Sequence, residues 1–391
     1  MRSAERIYFD NAATTPVDPR VRAAMQPFLD GAFGNPSSLH AEGRLARAAV
    51  ERARQRVAAL VGAKASEVVF TSGGTEADNL ALVGVTRAFA GQPVHVVTSA
   101  IEHPAILETC RGLSQYGVSV SLLGVDGDGV VQPAELDATL RPETRLVSIM
   151  AANNVVGTLQ PVRELARIAH EHGVLFHTDA VQAVGKVPLD MGRDDIELLS
   201  ISGHKLQGPK GVGALYIRKG TEIHPFVHGG HQESGMRGGT ENIIGIAGLG
   251  KACEILAAEW QRNGEHERRL RDRLEQAIVA RVPEVRVDGH PTRRVPNVCH
   301  LSVGYVEGEA LLMNLDMEGV AVASGSACST GSAEPSPTMK AIGVPPLFSN
   351  SPVRLSLGPG NTESEIDYTV EVFERVVARL RAISPIWKRR T

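Results

Sequence analysis

Between residues 65 and 217 the chain alternates short apolar runs with longer amphipathic stretches. The runs are VVF (68–70), VHVVTS (94–99), VSVSLL (118–123), LVSIM (146–150), VLFHT (174–178), LLSIS (198–202) and VGALYI (212–217). Each is short and rich in β-branched residues, which predicts a strand. Segments between them, such as RELARIAHEHG (163–173), carry helical spacing. Apolar strands separated by amphipathic helices predict an α/β fold, a mostly parallel seven-stranded sheet with helices on both faces. The last two runs lie too close for a helical crossover, so one of them is expected to be antiparallel.

Upstream, GRLARAAVERARQRVAALVG (43–62) repeats Leu45, Ala49, Ala53, Val57 and Leu60 near helical spacing, with arginines on the other face. This predicts an amphipathic helix. A long helical segment over about 242–281 leads into a second unit that ends in another helix. There Thr362 and Glu365 fit a capping box, and Ile366, Val370, Phe373, Val377 and Leu380 form the stripe. The predicted division is a large domain over 15–255 and a smaller α+β domain made of 1–14 with 256–391. No internal repeat or low-complexity segment is apparent.

Composition narrows the function classes. The chain has 391 residues, 42% hydrophobic and 22% charged, with a formal net charge of -3. Acids and bases are interspersed, which argues against nucleic acid or an anionic membrane as the main partner. No apolar run reaches the length of a membrane span, and MRSAERIYFDNAATTP has no signal-type apolar stretch. The expectation is a soluble, cytoplasmic protein. The four cysteines, Cys110, Cys253, Cys299 and Cys328, are scattered without a CxxC pair, so free thiols are expected rather than a zinc or disulfide framework.

Reactive side chains follow the strands. VVFTSGGTEADNL passes from a strand through a glycine pair to Thr75 and a helix, the arrangement that cradles a phosphate. His103 lies just past the second run, and Asn153 and Asn154 past the fourth. Asp179 and Gln182 follow the fifth, and Ser202, His204 and Lys205 end the sixth. Each has an ordinary alternative: a glycine turn, a surface histidine, loop asparagines, a structural salt bridge or an exposed lysine. Their coincidence at one sheet edge, where open α/β sheets bind ligands, points elsewhere. Pyridoxal phosphate needs a lysine for its aldehyde, a carboxylate for its pyridinium nitrogen, and N–H and hydroxyl donors for its phosphate. Lys205, Asp179, and Gly74, Thr75, Ser202 and His204 would supply them.

These stretches, together with YFDNAATTPVDPRV (8–21), GNPSSLH (34–40), HGGHQESGMRGGTEN (228–242), ASGSACSTGSAEPS (323–336) and VRLSLG (353–358), resemble the cysteine desulfurases of the NifS/IscS type. These belong to the class V group of fold-type I pyridoxal phosphate enzymes. The resemblance implies that Gly74, Thr75, Ser202 and His204 hold the phosphate, and that His103 stacks on the ring and moves protons. It implies that Asn154 and Gln182 bond the ring oxygen, that Asp179 pairs the ring nitrogen, and that Lys205 carries the cofactor. Arg354, assisted by Asn35, would clamp the substrate carboxylate. Thr240 would reach the phosphate of a neighbouring subunit, making the protein a homodimer. Cys328, in a small-residue stretch that reads as a mobile loop, would be the nucleophile that takes sulfur from L-cysteine, leaving L-alanine and a persulfide. An iron–sulfur scaffold protein would be one acceptor.

This chain departs from the family pattern at Val155, where an acidic residue is usual, and in its short ending KRRT after SPIW. His224, His228 and His231 have a spacing that could suggest metal, but glycines break any helix there and no metal is expected. An aminotransferase, a selenocysteine lyase and a sulfur-relay scaffold without turnover remain the alternative readings.

Overall fold

The apolar runs fill both faces of one sheet. In the computed structural model, which describes residues 6–325 and 336–388, the strands in chain order are β1 (Ile7–Tyr8), β2 (Val68–Thr71), β3 (His95–Ser99), β4 (Ser119–Leu123), β5 (Thr144–Ser148) and β6 (Leu175–Asp179). They continue with β7 (Leu198–Ser202), β8 (Gly213–Ile217), β9 (Val285–Val287), β10 (Val298–Val303), β11 (Val320–Ala321) and β12 (Pro352–Ser356). Strands β2 to β8 form a seven-stranded sheet in the order β2-β8-β7-β6-β5-β3-β4. Strand β8 runs antiparallel to both neighbours, and every other pairing is parallel.

Successive strand side chains point to opposite faces. Val97, Val147, Phe176, Leu199 and Ala214 face one buried core, while Val96, Leu146, Leu198 and Leu215 face the other. Helices Ala41–Leu60, Val162–Glu171 and the first half of Ile243–Arg281 cover the first face. Helices Gly74–Ala88 and Pro104–Ser114 cover the second. Strand β5 begins two residues before the apolar run predicts, at Thr144 and Arg145. The Arg145 guanidinium lies over the Phe89 ring at 5.1 Å, so a charged residue sits in the strand without facing bare core.

Helix Ala41–Leu60 forms as predicted, and Ala49, Ala53 and Val57 of the predicted stripe are buried with Leu60 packed partly against the same core, but Leu45 is not. Leu45 is 52% exposed, and the inward residues are Ala46, Ala49, Val50, Ala53, Val57 and Ala58. Small side chains let it press on the long helix Ile243–Arg281: a Cβ on Gly250 would stand 2.5 Å from Ala53 Cα. Nor do all its arginines face water. Arg54 is buried, with Nη1 and Nη2 donating to Glu233 at 2.6 and 2.8 Å.

A further core is built from Leu270, Leu274 and Ile278 of the long helix, strands β10 and β12, and helices Gly308–Met317 and Glu363–Ile383. Ile7 and Phe9 join it, because β1 pairs in parallel with β11. Helix Glu363–Ile383 opens on the predicted capping box, with Thr362 Oγ1 accepting from Glu365 N at 3.3 Å. Ile366, Val370, Phe373 and Val377 of its stripe are buried. No described helix is long and apolar enough to cross a membrane.

Candidate active site

At the carboxyl ends of β2, β3, β5, β6 and β7 the sheet opens into a cavity of about 570 Å³. Gly74, Thr75, His103, Asn154, Asp179, Gln182, Ser202, His204, Lys205 and Arg354 all line it. Asn35 and Thr240 do not; both are exposed on this chain. Cys328 lies outside the described residues.

Strand β2 ends into helix Gly74–Ala88, whose first intrahelical hydrogen bond is Ala77 N to Gly73 O. The preceding N–H groups therefore face the cavity without helical partners, a ready anion site. A Cβ on Gly74 would come 2.9 Å from Val181 Cγ2 and 3.4 Å from Ser202 Cβ, so glycine is what the cradle admits. Ser202 ends β7, and His204 follows with Nδ1 3.1 Å from Thr14 Oγ1. Burial, then Lys205 and Lys210, push His204 down to about 4, so it offers an N–H rather than a charge.

Lys205 sits in a single 3-10 turn after β7. Its Nζ donates to Ala12 O at 2.6 Å and Ala13 O at 2.7 Å. Burial, followed by the charges of Lys186 and Arg354, lowers the amine to about 7. Near neutral pH a substantial fraction is uncharged, the form that condenses with an aldehyde or takes a proton.

Asp179, the last residue of β6, is 6% exposed and accepts Val181 N at 2.9 Å. Behind it lies Asp78, 1% exposed, whose Oδ1 has no hydrogen-bond partner among the described residues. Two buried carboxylates side by side cannot both stay charged. Burial raises both, but Asp179 has the Val181 N–H, His103 and Lys205 to favour its charge, whereas Asp78 is pushed well up by burial and by Asp179 itself. The negative charge therefore rests on Asp179. Burial also raises Glu102 to about 8 and lowers His177 to about 3, so Asp179 is backed by neutral groups. His177 lies between Ser148 Oγ at 2.8 Å and Ser200 Oγ at 3.0 Å.

His103 caps helix Pro104–Ser114: its Nδ1 accepts from Ala105 N at 3.1 Å. That bond assigns the proton of the neutral ring to Nε2. Burial and Lys205 hold the ring below the ordinary histidine range against the pull of Asp179. Asn153 is structural, with Oδ1 accepting from Val155 N and Val156 N at 2.9 Å, which turns Asn154 to the cavity. Val155 is buried in an apolar cluster with Val156, Met339 and Ile342. Arg354, 2% exposed, gives Nη1 to Asn154 O at 2.7 Å and Gly325 O at 3.1 Å, and Nη2 to Asp10 Oδ1 at 2.8 Å.

This donor set fits pyridoxal phosphate: a partly neutral lysine amine, a charged buried carboxylate, and a glycine-bounded row of N–H groups meet on one cavity. The sequence matches the aminotransferase class-V family over residues 7–369. The chain belongs to the class-V aminotransferase family. Among class-V relatives, it is 48% identical to the cysteine desulfurase IscS of Dictyoglomus turgidum, over 98% of each chain. It is 49% identical to a cysteine desulfurase of Cereibacter sphaeroides, over 97% of this chain and 98% of that one. A solved NifS-like protein superposes with a TM-score of 0.90 at 38% identity, covering 96% of this chain and all of that one. A structure of SspA in complex with cysteine superposes with a TM-score of 0.82 at 34% identity, over 91% of this chain and 100% of that one.

Several groups at this class-V site carried no separate sequence signal. Asp78 lies inside the stretch VVFTSGGTEADNL and Glu102 directly before His103, but their burial depends on the sheet beneath them. Asp10 meets Arg354 across 344 residues of chain. Cys110, Cys253 and Cys299 are buried free thiols. Burial pushes Cys110 and Cys253 up to about 12 and raises Cys299 well above the ordinary thiol range, which disfavours their thiolates. Among the described residues, one metal-type grouping occurs at His170, Asp195 and Glu197, away from His224, His228 and His231. There the ring nitrogens of His170 face carboxylates at 3.1 and 2.8 Å, an ion triad that ties helix Val162–Glu171 to the start of β7.

Proposed function

We propose that this chain is a pyridoxal-phosphate-dependent cysteine desulfurase that converts L-cysteine to L-alanine and carries the sulfur on Cys328 as a persulfide. The observation that carries the reading is the meeting of Lys205, Asp179 and His103 with the helix-start N–H groups on one cavity. The names of the relatives support the substrate. When bound, the cofactor would supply an aldehyde for Lys205 and an electron sink for the substrate carbon. Gly74, Thr75, Ser202 and His204 hold its phosphate, Asp179 its ring nitrogen, and Asn154 and Gln182 its ring oxygen. Lys205 Nζ, uncharged for much of the time near pH 7, takes the substrate α-proton. Arg354 and Asn35 receive the substrate carboxylate. Cys328 Sγ bonds to the substrate sulfur as the carbon–sulfur bond breaks, and the electron pair stays with carbon. Two protons then complete alanine: the one held on Lys205 returns to the α-carbon, and the one given up by the Cys328 thiol goes to the methyl carbon, with His103 lining the cavity as its relay. Overall, one thiol and one cysteine give one persulfide and one alanine, with no outside oxidant or reductant.

The reading includes a homodimer. Asn35 and Thr240 are exposed and off the cavity, and Leu29, Phe33 and Leu39 beside Asn35 are 60%, 82% and 91% exposed. A second copy that buried this patch would bring Asn35 into use, and Thr240 is read as reaching the phosphate of that copy. It also includes a cytoplasmic enzyme with a protein sulfur acceptor such as an iron–sulfur scaffold. It divides the chain into a cofactor unit at 15–255 and a smaller unit at 1–14 with 256–391; the second core, of Ile7, Phe9 and residues from Leu270 onward, supports the smaller unit, while Ala12, Leu256, Val295 and Val298 pack on the first core.

The test incubates the cofactor-loaded protein with L-cysteine and a thiol. Alanine and sulfide should appear in step, and before the thiol is added the Cys328 peptide should gain the mass of one sulfur atom. Cys328→Ala should still change the cofactor absorbance on adding L-cysteine but release no sulfide. A 2-oxo acid product in place of alanine, or normal sulfide release by Cys328→Ala, would overturn the reading.

A further inference from the structure

Four residues past Gln182, in a run of turns, Lys186 turns its amine toward the protein interior. Its Nζ lies 3.2 Å from Gln182 Oε1 and 3.3 Å from Gln182 O. Gln182 Nε2 donates to Ala12 O at 2.9 Å, the same carbonyl that accepts Lys205 Nζ at 2.6 Å. The two ends of this chain of bonds fix its sense. An ammonium only donates, so the amide atom facing Lys186 is oxygen. A carbonyl only accepts, so the amide atom facing Ala12 is nitrogen. Gln182 is 5% exposed and lines the cavity, so the flip of its amide decides whether the site meets a ligand oxygen with a donor or a lone pair.

We propose that Lys186 is a positioning residue that locks the Gln182 amide with its N–H side toward the cavity, so that the site presents a donor to the ring oxygen of bound pyridoxal phosphate. The proposal rests on the cofactor reading above. Glu267, 7% exposed on the long helix, favours the charge on Lys186, while burial and Arg354 oppose it. The same ammonium stands close enough to disfavour a second charge on Lys205. Lys186 thus has two separable effects, orientation of an amide and a long-range field, and the experiment below distinguishes them.

Lys186→Met removes both the donor and the charge. Lys186→Arg keeps a charged donor on a side chain long enough to meet Gln182 Oε1. Each is made in the full chain, alone and with Gln182→Ala. The readouts are the dissociation constant for pyridoxal phosphate by equilibrium dialysis and the pH midpoint of the bound cofactor's absorbance without substrate. Lys186→Met should weaken cofactor binding roughly three- to tenfold, the worth of one hydrogen bond. Lys186→Arg should stay within about twofold of wild type, and Lys186→Met should add less than about twofold in the Gln182→Ala background. If Lys186→Met fails to fold because Glu267 is left without its cation, Lys186→Met with Glu267→Gln carries the same expectations. The proposal alone is overturned if a cofactor-binding wild type and Lys186→Met are indistinguishable. It is also overturned if Lys186→Arg loses as much as Lys186→Met, or if the loss persists without the Gln182 side chain. A wild type that binds no pyridoxal phosphate overturns both this proposal and the cofactor reading.

Discussion

The reactive lysine should cost the cofactor-free protein stability in a pH-dependent way. Lys205 titrates near 7 in the fold against about 10.5 ordinarily, first because it is buried and then because Lys186 and Arg354 stand near it. The native state therefore holds fewer protons than the unfolded chain between these values. Stability rises with pH through that window, by about 1.4 kcal/mol per unit once the folded group has lost its proton. The penalty is complete below pH 7 and vanishes above 10.5. Lys205→Met removes the titration but leaves the carbonyls of Ala12 and Ala13 short of a donor, a loss that does not depend on pH. Urea unfolding of the cofactor-free wild type and variant at pH 5, 6, 7, 8 and 9 follows the effect, because the other titrating groups are present in both and only Asp179, His103 and His204 lose the neighbouring charge of Lys205. Between pH 7 and 9 wild type should gain about 2 kcal/mol relative to Lys205→Met, after correction for partial titration near pH 7. Between pH 5 and 6 the gap should be flat. A gap that stays constant from pH 6 to 9 would show that the amine titrates as it does in water, and the argument for a partly neutral Lys205 would fail.

Other consequences can be measured independently. Arg54→Met leaves Glu233 buried without its bidentate partner and should destabilise the protein by roughly 3–5 kcal/mol in urea unfolding; a loss under 1 kcal/mol would mean water reaches the pair. Gly74→Ala should weaken pyridoxal phosphate binding while leaving the melting temperature near wild type, and Val181→Ala should restore binding by removing the methyl group 2.9 Å away. Arg354→Lys should raise KM for L-cysteine roughly ten- to a hundredfold, since an ammonium cannot reproduce the guanidinium's fixed fork. An unchanged KM would place the substrate carboxylate elsewhere.

The sequence by itself determined the sheet and the place of its chemistry. Strands buried on both faces must be apolar throughout, so all seven runs stood out, and β7 and β8 are too close in sequence to be parallel. The site residues follow strand ends, where chain direction alone brings them to one edge, so His103, Asp179 and Lys205 could be placed on one cavity in advance. What the sequence could not determine depends on which surfaces meet. Helix Ala41–Leu60 has alanines and leucines at helical spacing on more than one face, and close approach at Gly250 selected the alanines and left Leu45 in water. Arg54 reads as solvent-facing until Glu233, 179 residues away, closes on it. The protonation of Asp78, Glu102 and Lys186 was equally illegible, because a charge's energy depends on the groups packed around it and sequence order does not specify those neighbours.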